Sequence, residues 1–327
     1  MEHRRLGKTG RTVSVIGFGA WAIGGDWGNV DDATALRALH AAADAGVDLI
    51  DTADVYGDGH SEQLIGRFLR ERPGETFLVA TKMGRRVPQV PAEYNPAAFR
   101  AWNDRSRQNL GVETLDLVQL HCPPTQVYYM PDVFADLDEM VAEGRIANYG
   151  VSVEKVEEGL KAIEFPGVAS VQIIFNMLRQ RPAERFLAEA GRRDVGVLTR
   201  VPLASGILTG KLRPDTAFEA SDHRNYNRDG ASFDVGETFA GVDYETGLEV
   251  VEALREIVPE GATMAQTALR WILMHDGVTA AIPGAKTAEQ AAANAAAGSL
   301  APLPPAAMER VRELYAAKVR PLVHQRW

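Results

Sequence analysis

Val47-Asp48-Leu49-Ile50-Asp51-Thr52-Ala53-Asp54-Val55-Tyr56-Gly57 starts as a short aliphatic run and turns polar before a glycine-bearing loop. Strands of a parallel sheet covered on both faces read this way, apolar along their length and polar at the C-terminal end where chemistry gathers. The same grammar recurs outward in both directions. Candidate strands lie at residues 16–20, 47–52, 77–82, 116–121, 148–152, 170–174, 196–200 and 279–283. Amphipathic patterns separate them at 31–45, 61–70, 96–110, 131–143, 153–163, 182–191 and 244–257. Alternation of this kind is the α/β signature, and eight such strands with no linker between them predict closure into a (β/α)8 TIM barrel over residues 1–327. A doubly wound open sheet is the alternative.

Three pieces decorate the series. Residues 4–15, with Gly7-Lys8-Thr9-Gly10 between short extended stretches, predict an N-terminal β-hairpin placed to plug the barrel's bottom. Residues 212–241 are rich in Asp, Arg, Asn, Ser and Gly without a period, and read as either a lid or substrate loop or a tolerated surface insertion. After an alanine-rich stretch at 291–297 and a proline-rich one at 300–305, residues 305–317 predict a C-terminal helix that packs through Met308, Val311, Leu314 and Tyr315.

Composition narrows the partners. The 327 residues carry 35 Lys+Arg against 44 Asp+Glu, a formal net charge of −9. Arg85-Arg86 and Arg192-Arg193 are no more than doublets and no dense Lys/Arg block appears, so no nucleic-acid footprint is expected. Cys122 is the sole cysteine, which excludes an intrachain disulfide and multi-cysteine metal sites and fits a reducing compartment. The N-terminal residues are polar and glycine-bearing, unlike a signal peptide. The most apolar stretch, 13–25, is broken by four glycines and falls short of the roughly 20 residues a membrane span needs. A cytoplasmic, soluble protein is expected, with self-association left open.

The polar residues at the strand ends form a chemical set. Asp51 closes the second candidate strand with Tyr56 just beyond it, Lys82 closes the third, and His121 the fourth. A lone tyrosine is a poor acid at neutral pH. An ammonium beside the phenol is expected to lower its pKa, and a carboxylate would keep that lysine charged and oriented. Asp51, Lys82 and Tyr56 then form a relay in which Tyr56 is the general acid toward a carbonyl oxygen that His121 orients.

These residues resemble the aldo-keto reductase family. The resemblance rests on Gly17-Phe18-Gly19-Ala20-Trp21, Asp51-Thr52-Ala53-Asp54-Val55-Tyr56-Gly57 with Ser61-Glu62, Ala80-Thr81-Lys82 and Leu120-His121. It continues through Gly144-Arg145-Ile146, Gly150-Val151-Ser152, Val171-Gln172 with Asn176, residues 202–211, and Ile282-Pro283-Gly284-Ala285-Lys286 with Gln290 and Asn294. It covers the whole chain and implies a barrel that transfers hydride between NADPH and a carbonyl or alcohol, with NADH open as an alternative cofactor. By resemblance the catalytic residues are Asp51, Tyr56, Lys82 and His121. Ser152 and Gln172 correspond to the positions that hold the nicotinamide carboxamide, and Arg200 to a ring-stacking tyrosine. Leu203, Ser205, Gly206 and Lys211 correspond to the pyrophosphate loop. Gly284, Lys286, Gln290 and Asn294 correspond to the adenosine end, with Lys286 placed for a 2′-phosphate.

Trp21, Trp27, His60, Tyr128 and Tyr129 sit at strand ends and loops where they would line a substrate pocket for a small carbonyl compound, sugar-like or natural-product-like; packing anchors are the other reading. Gly17, Gly19 and Gly24 do not make G-x-G-x-x-G. No tyrosine is followed four positions later by lysine, no two rim carboxylates face each other, and no His pair has zinc-helix spacing, so no metal is expected. The leading reading is a carbonyl reductase. The alternative is a cofactor-binding, redox-sensing regulatory subunit with little turnover.

Overall fold

The computed structural model describes residues 1–24 and 30–327, so Trp27 lies outside the described residues. β1 (His3–Arg5) and β2 (Thr12–Ser14) pair antiparallel as the hairpin. The barrel strands follow as β3 (Phe18–Gly19), β4 (Leu49–Asp51), β5 (Leu78–Met83), β6 (Leu117–His121), β7 (Tyr149–Ser152), β8 (Val168–Ile174), β9 (Gly196–Arg200) and β10 (Ala280–Ala281). Neighbours in sequence are neighbours in the sheet, all parallel. A doubly wound sheet would reverse direction partway, and this one does not.

The ring closes between its first and last strands. The Gly17 amide donates to Ala281 O at 2.8 Å and the Gly19 amide to Pro283 O at 3.0 Å, alongside parallel bridges Ile16–Ala281 and Gly19–Gly284. Glycine is needed at the seam, because a Cβ on Gly19 would stand 2.7 Å from the Ile282 carbonyl oxygen.

The helices are α1 (Asp32–Asp44), α2 (His60–Glu71), α3 (Pro96–Leu110), α4 (Pro131–Ala142), α5 (Val156–Ala162), α6 (Phe186–Arg192), α7 (His223–Tyr226), α8 (Tyr244–Leu254), α9 (Met264–Leu273), α10 (Ala288–Ala296), α11 (Pro305–Leu314) and α12 (Arg320–Val323). Asp31, Asn95, Asp243, Thr263 and Thr287 cap their helices by accepting from backbone amides. Among the described residues no helix is long and apolar enough to cross a membrane.

Inside the barrel, Leu6 and Val13 of the hairpin pack with Leu49, Leu78, Ala80, Leu117, Leu198, Ala280 and Ile282 in a cluster separate from the larger core under the helices. The hairpin is therefore a plug. Its turn fits closely, since Gly7 has φ 49° and a Cβ there would meet Gly196 N at 2.3 Å and Ala169 O at 2.6 Å.

Three elements differ from the sequence reading. The helix α9 was not expected; eight of its residues are buried. The local signal for it is the Thr263/Gln266 capping box at its start. The stretch 212–241 is not structureless: it contains α7 and a short turn of helix at Thr238–Gly241, and it buries Asp222, His223, Asn227, Phe239 and Ala240. The last helix does not end at 317. After Leu314 the chain opens into a wider π turn over Tyr315–Val319 ahead of α12, where Pro321 has no N–H to return to the preceding turn.

Truncating the plug tests its weight. Leu6→Ala is expected to cost about 2–5 kcal/mol of unfolding free energy, the range for a buried leucine whose site cannot collapse. Denaturant titration reads this, and a loss under about 1 kcal/mol would mean that the hairpin only decorates the surface.

Candidate active site

Alternate residues along a strand point the same way. In β4, β5 and β6 the inward series are Leu49 and Asp51; Leu78, Ala80 and Lys82; and Leu117, Gln119 and His121, with apolar members in the interior cluster and polar ones above it. The period of two thus delivers a carboxylate, an ammonium and an imidazole to the C-terminal end of the barrel. Tyr56 arrives from the helical turn Tyr56–Gly59 after β4. That turn needs Gly57, at φ 57°, since a Cβ there would lie 2.1 Å from Gly24 O.

Lys82 Nζ donates to Asp51 Oδ2 at 2.7 Å and to Thr52 O at 2.7 Å, and lies 3.4 Å from Tyr56 Oη. Gln172 Nε2 donates to Asp51 Oδ1 at 2.7 Å and to Gln119 Oε1 at 3.0 Å, while Gln119 Nε2 donates to Ser170 Oγ at 3.1 Å. Gln119 was missed in the sequence, although its place two residues before His121 puts it on the same face. The network crosses the barrel with each of these donors matched to an acceptor, as buried polar groups require.

Burial dominates the titration of the three groups around this pair. The Asp51 carboxyl is pushed up by burial, against the pull of Lys82 and the Gln172 amide. Burial, then the charges of Asp51 and Glu237, hold the Tyr56 phenol well above its usual range. This is opposite to the lowering expected from a neighbouring lysine: burial and the two carboxylate charges outweigh the opposing pull of Arg200. The phenol keeps its proton. His121 is held well below its ordinary value by burial and by Arg85, Lys82 and Arg200, so its imidazole is neutral. Among the described residues its buried Nδ1 has no hydrogen-bond partner, and the ring meets that of Tyr56 edge-on at 6.0 Å.

Asp51, Tyr56 and His121 open onto a cavity of about 640 Å³ that runs along the top of the barrel to Lys286 and Asn294. Gln172, Arg200, Leu203, Ser205, Gly206, Lys211, Gly284, Gln290 and Trp21 also line it. Ser205 and Gly206 both have positive φ, 53° and 99°, where the cavity wall is made by backbone. At the far end Asn294 Nδ2 donates to Gly284 O at 3.1 Å and the Lys286 amide to Gln290 Oε1 at 2.8 Å. Lys286 is lowered by burial and then by the nearby Arg224 cation, as expected where two cations share one pocket wall. The wall also includes Arg85, Arg224, Tyr226, Phe233 and Glu237, none of them given a site role from the sequence, and the last four lie in residues 212–241.

Other candidates are placed elsewhere. Ser152 is buried and does not line the cavity; its hydroxyl meets Cys122 Sγ at 3.5 Å. Cys122 is raised by burial, as suits an inert thiol. Arg200 is tied to Glu237 by an ion pair, donates to Val153 O at 3.2 Å and lies 3.8 Å from Asp234, so its guanidinium is engaged by 212–241. Tyr128 is fully buried, with its hydroxyl on Ser152 O at 3.2 Å, and Tyr129 is 63% exposed under Lys161. His60 opens α2 and pairs with Asp32 at 3.0 Å. None of these last three lines the cavity. Among the described residues no group of three or more His, Cys, Asp or Glu is arranged to hold a metal ion.

The donor set fits a dinucleotide: a neutral imidazole and a protonated phenol at one end, a backbone-lined passage in the middle, and cations at the other end to meet phosphate. Comparison with known proteins gives the same frame. The model of the Aldo/keto reductase family matches residues 15–316. The chain is 28% identical to the NADH-specific methylglyoxal reductase of Escherichia coli (strain K12), over 91% of this chain and 93% of that one. Its fold overlays the glycerol dehydrogenase AKR11B4 of Gluconobacter oxydans with a TM-score of 0.80 at 29% identity, covering 97% and 96% of the two chains. An aldo/keto reductase of Klebsiella pneumoniae in complex with NADP and acetate overlays at TM-score 0.69 and 25% identity, covering 96% and 95%.

One buried acid sits behind the site. Asp54 is fully buried two residues before Tyr56: its amide donates to Lys82 O at 3.1 Å, and among the described residues neither carboxylate oxygen has a hydrogen-bond partner. Burial, then the charge of Glu62, pushes its pKa up from 3.8 to about 7. The folded state therefore binds this proton more tightly than the unfolded chain, and the stability this adds is lost as pH rises through about 7. Melting temperatures at pH 5 and pH 8 are expected to show a drop in the wild type that Asp54→Asn abolishes; equal drops in both would refute the assignment.

Proposed function

The chain belongs to the aldo/keto reductase family, and from that premise we propose that it reduces the carbonyl of a small oxygenated aldehyde or ketone to the alcohol at the expense of NADPH, with Tyr56 as proton donor. The observation that carries this reading is the opening of a protonated Tyr56 and a neutral His121 onto one cavity, with Lys82 3.4 Å from the phenol oxygen.

Gln172 is suited to the carboxamide of the nicotinamide, Leu203 to Gly206 with Lys211 to the pyrophosphate, and Gly284, Lys286, Gln290 and Asn294 to the adenosine end. Ser152, off the cavity wall, is a poorer candidate than Gln172. The bound reduced dinucleotide supplies the hydride. His121 donates an N–H to the substrate oxygen and holds it toward Tyr56. As negative charge develops on that oxygen, Tyr56 releases its proton to it, and the Lys82 ammonium steadies the phenolate that remains. Lys82 thus acts on the product state of the tyrosine. Asp51 and the Thr52 carbonyl keep the ammonium fixed for this.

Two of the named relatives are titled for three-carbon oxygenated compounds, methylglyoxal and glycerol, and the titles between them carry both NADH and NADP. Lys286 favours the phosphorylated cofactor. The wall of Trp21, Val55 and Phe233 beside Tyr56 gives the reacting end room for a substrate's carbon skeleton, which supports turnover over a purely sensing role.

Tyr56→Phe should lower kcat by about 10²–10⁴ while NADPH still binds. NADPH oxidation with methylglyoxal, glyceraldehyde and simple ketones reads this, and a wild type no faster than the variant on every substrate would favour the sensing role. Lys286→Ala should weaken NADPH by roughly tenfold or more, the value of one charge-assisted contact, and leave NADH nearly unaffected. Equal effects on the two cofactors in a fluorescence titration would remove Lys286 from the 2′-phosphate.

A further inference from the structure

Arg85 stands in the wall of the reacting end, and nothing in the proton relay uses it. It follows β5 through Gly84, whose φ of 110° turns the chain back over the barrel mouth. That turn is fastened by Gln89, which donates to Gly84 O at 2.8 Å and accepts from the Tyr94 hydroxyl at 3.0 Å. Arg85 Nε donates to the main-chain oxygen of His121 at 3.3 Å, and Nη2 donates to Glu154 Oε1 at 2.7 Å. The guanidinium is thus fixed across the loops after β5, β6 and β7. Among the described residues Nη1 makes no hydrogen bond and it is not a sealed-off polar atom, while Arg85 itself lines the cavity.

A rigid donor with an unused N–H beside the reacting carbonyl selects for a second oxygen on the substrate. Charge decides which kind. Glu154 neutralises Arg85, Glu237 and Asp234 surround Arg200, and Glu237 itself faces the cavity. A carboxylate or phosphate would enter a region already balanced, against the Glu237 carboxylate. A neutral hydroxyl oxygen meets no such opposition. Trp21, Val55 and Phe233 offer apolar surface for a short carbon chain.

We propose that Arg85 is a specificity-determining residue that donates through Nη1 to a hydroxyl oxygen of the substrate, which makes short neutral hydroxyaldehydes the preferred substrate class. This rests on the reductase reading above. The test compares kcat/KM for glyceraldehyde with propanal, which has the same carbon skeleton without hydroxyls, and for 4-oxobutanoate with butanal. Wild type is expected to prefer glyceraldehyde, and Arg85→Met to reduce that preference by about tenfold or more, chiefly through KM. Equal loss on glyceraldehyde and propanal would show a structural role and overturn the proposal, as would a selective loss on 4-oxobutanoate. Glu154→Gln keeps Arg85 in place and removes its neutralising charge. It should raise the 4-oxobutanoate to butanal ratio, and an unchanged ratio would overturn the charge argument. Absence of wild-type turnover on all four aldehydes would instead overturn the reductase reading itself.

Discussion

The buried ion pair of Lys82 and Asp51, 2.7 Å apart with side chains 1% and 5% exposed, is the constraint around which the top of the barrel is organised. Taking two charges out of water is costly, and the mutual attraction repays it only when the remaining donors and acceptors are satisfied. Here the Thr52 carbonyl takes a second bond from the ammonium and the Gln172 amide covers the second carboxylate oxygen. Gln172 is held in turn by Gln119, and Gln119 by Ser170, so the strands β4, β5, β6 and β8 share one hydrogen-bonded network. Removing either charge would leave the other stranded and disturb all four.

Such a pair needs a dry and rigid floor. The interior cluster beneath it supplies that floor, with Leu6 and Val13 of the hairpin filling the space that eight tilted strands leave at the other end. Closure matters as much. The amides of Gly17 and Gly19 complete the ring against the carbonyls of Ala281 and Pro283, and the absence of side chains there lets the two backbones approach. The polar end can then be open to a cavity while the rest stays packed.

The segment 212–241 shapes the other side of that cavity. Glu237 pairs with Arg200 at the end of β9, and the carbonyl of Glu237 accepts from Ser205 at 2.8 Å, so one residue ties the segment both to a strand end and to the glycine-bearing passage. Phe233 and Trp21 meet at 6.1 Å across the mouth. The field at the reacting end is therefore set partly by residues far along the chain: Glu237 contributes to holding the proton on Tyr56, while Arg200 helps keep His121 neutral.

By itself the sequence determined what repeats locally. A strand covered on both faces leaves an apolar run, and the period of two carries it to Asp51, Lys82 and His121 at the rim, so the barrel, its plug and the convergence of these side chains with Tyr56 were legible. Tertiary structure decided what depends on contacts between distant segments. It withdrew Tyr128, Tyr129 and His60 from the cavity, put Ser152 behind Cys122, and brought Arg85 and Glu237 to the wall. It built α9, eight of whose residues are buried. It also reversed the expected direction of the Tyr56 titration. Spacing names which charges can approach a phenol. How deeply that phenol is buried, and which acceptors claim the lysine first, are properties of the packed molecule alone.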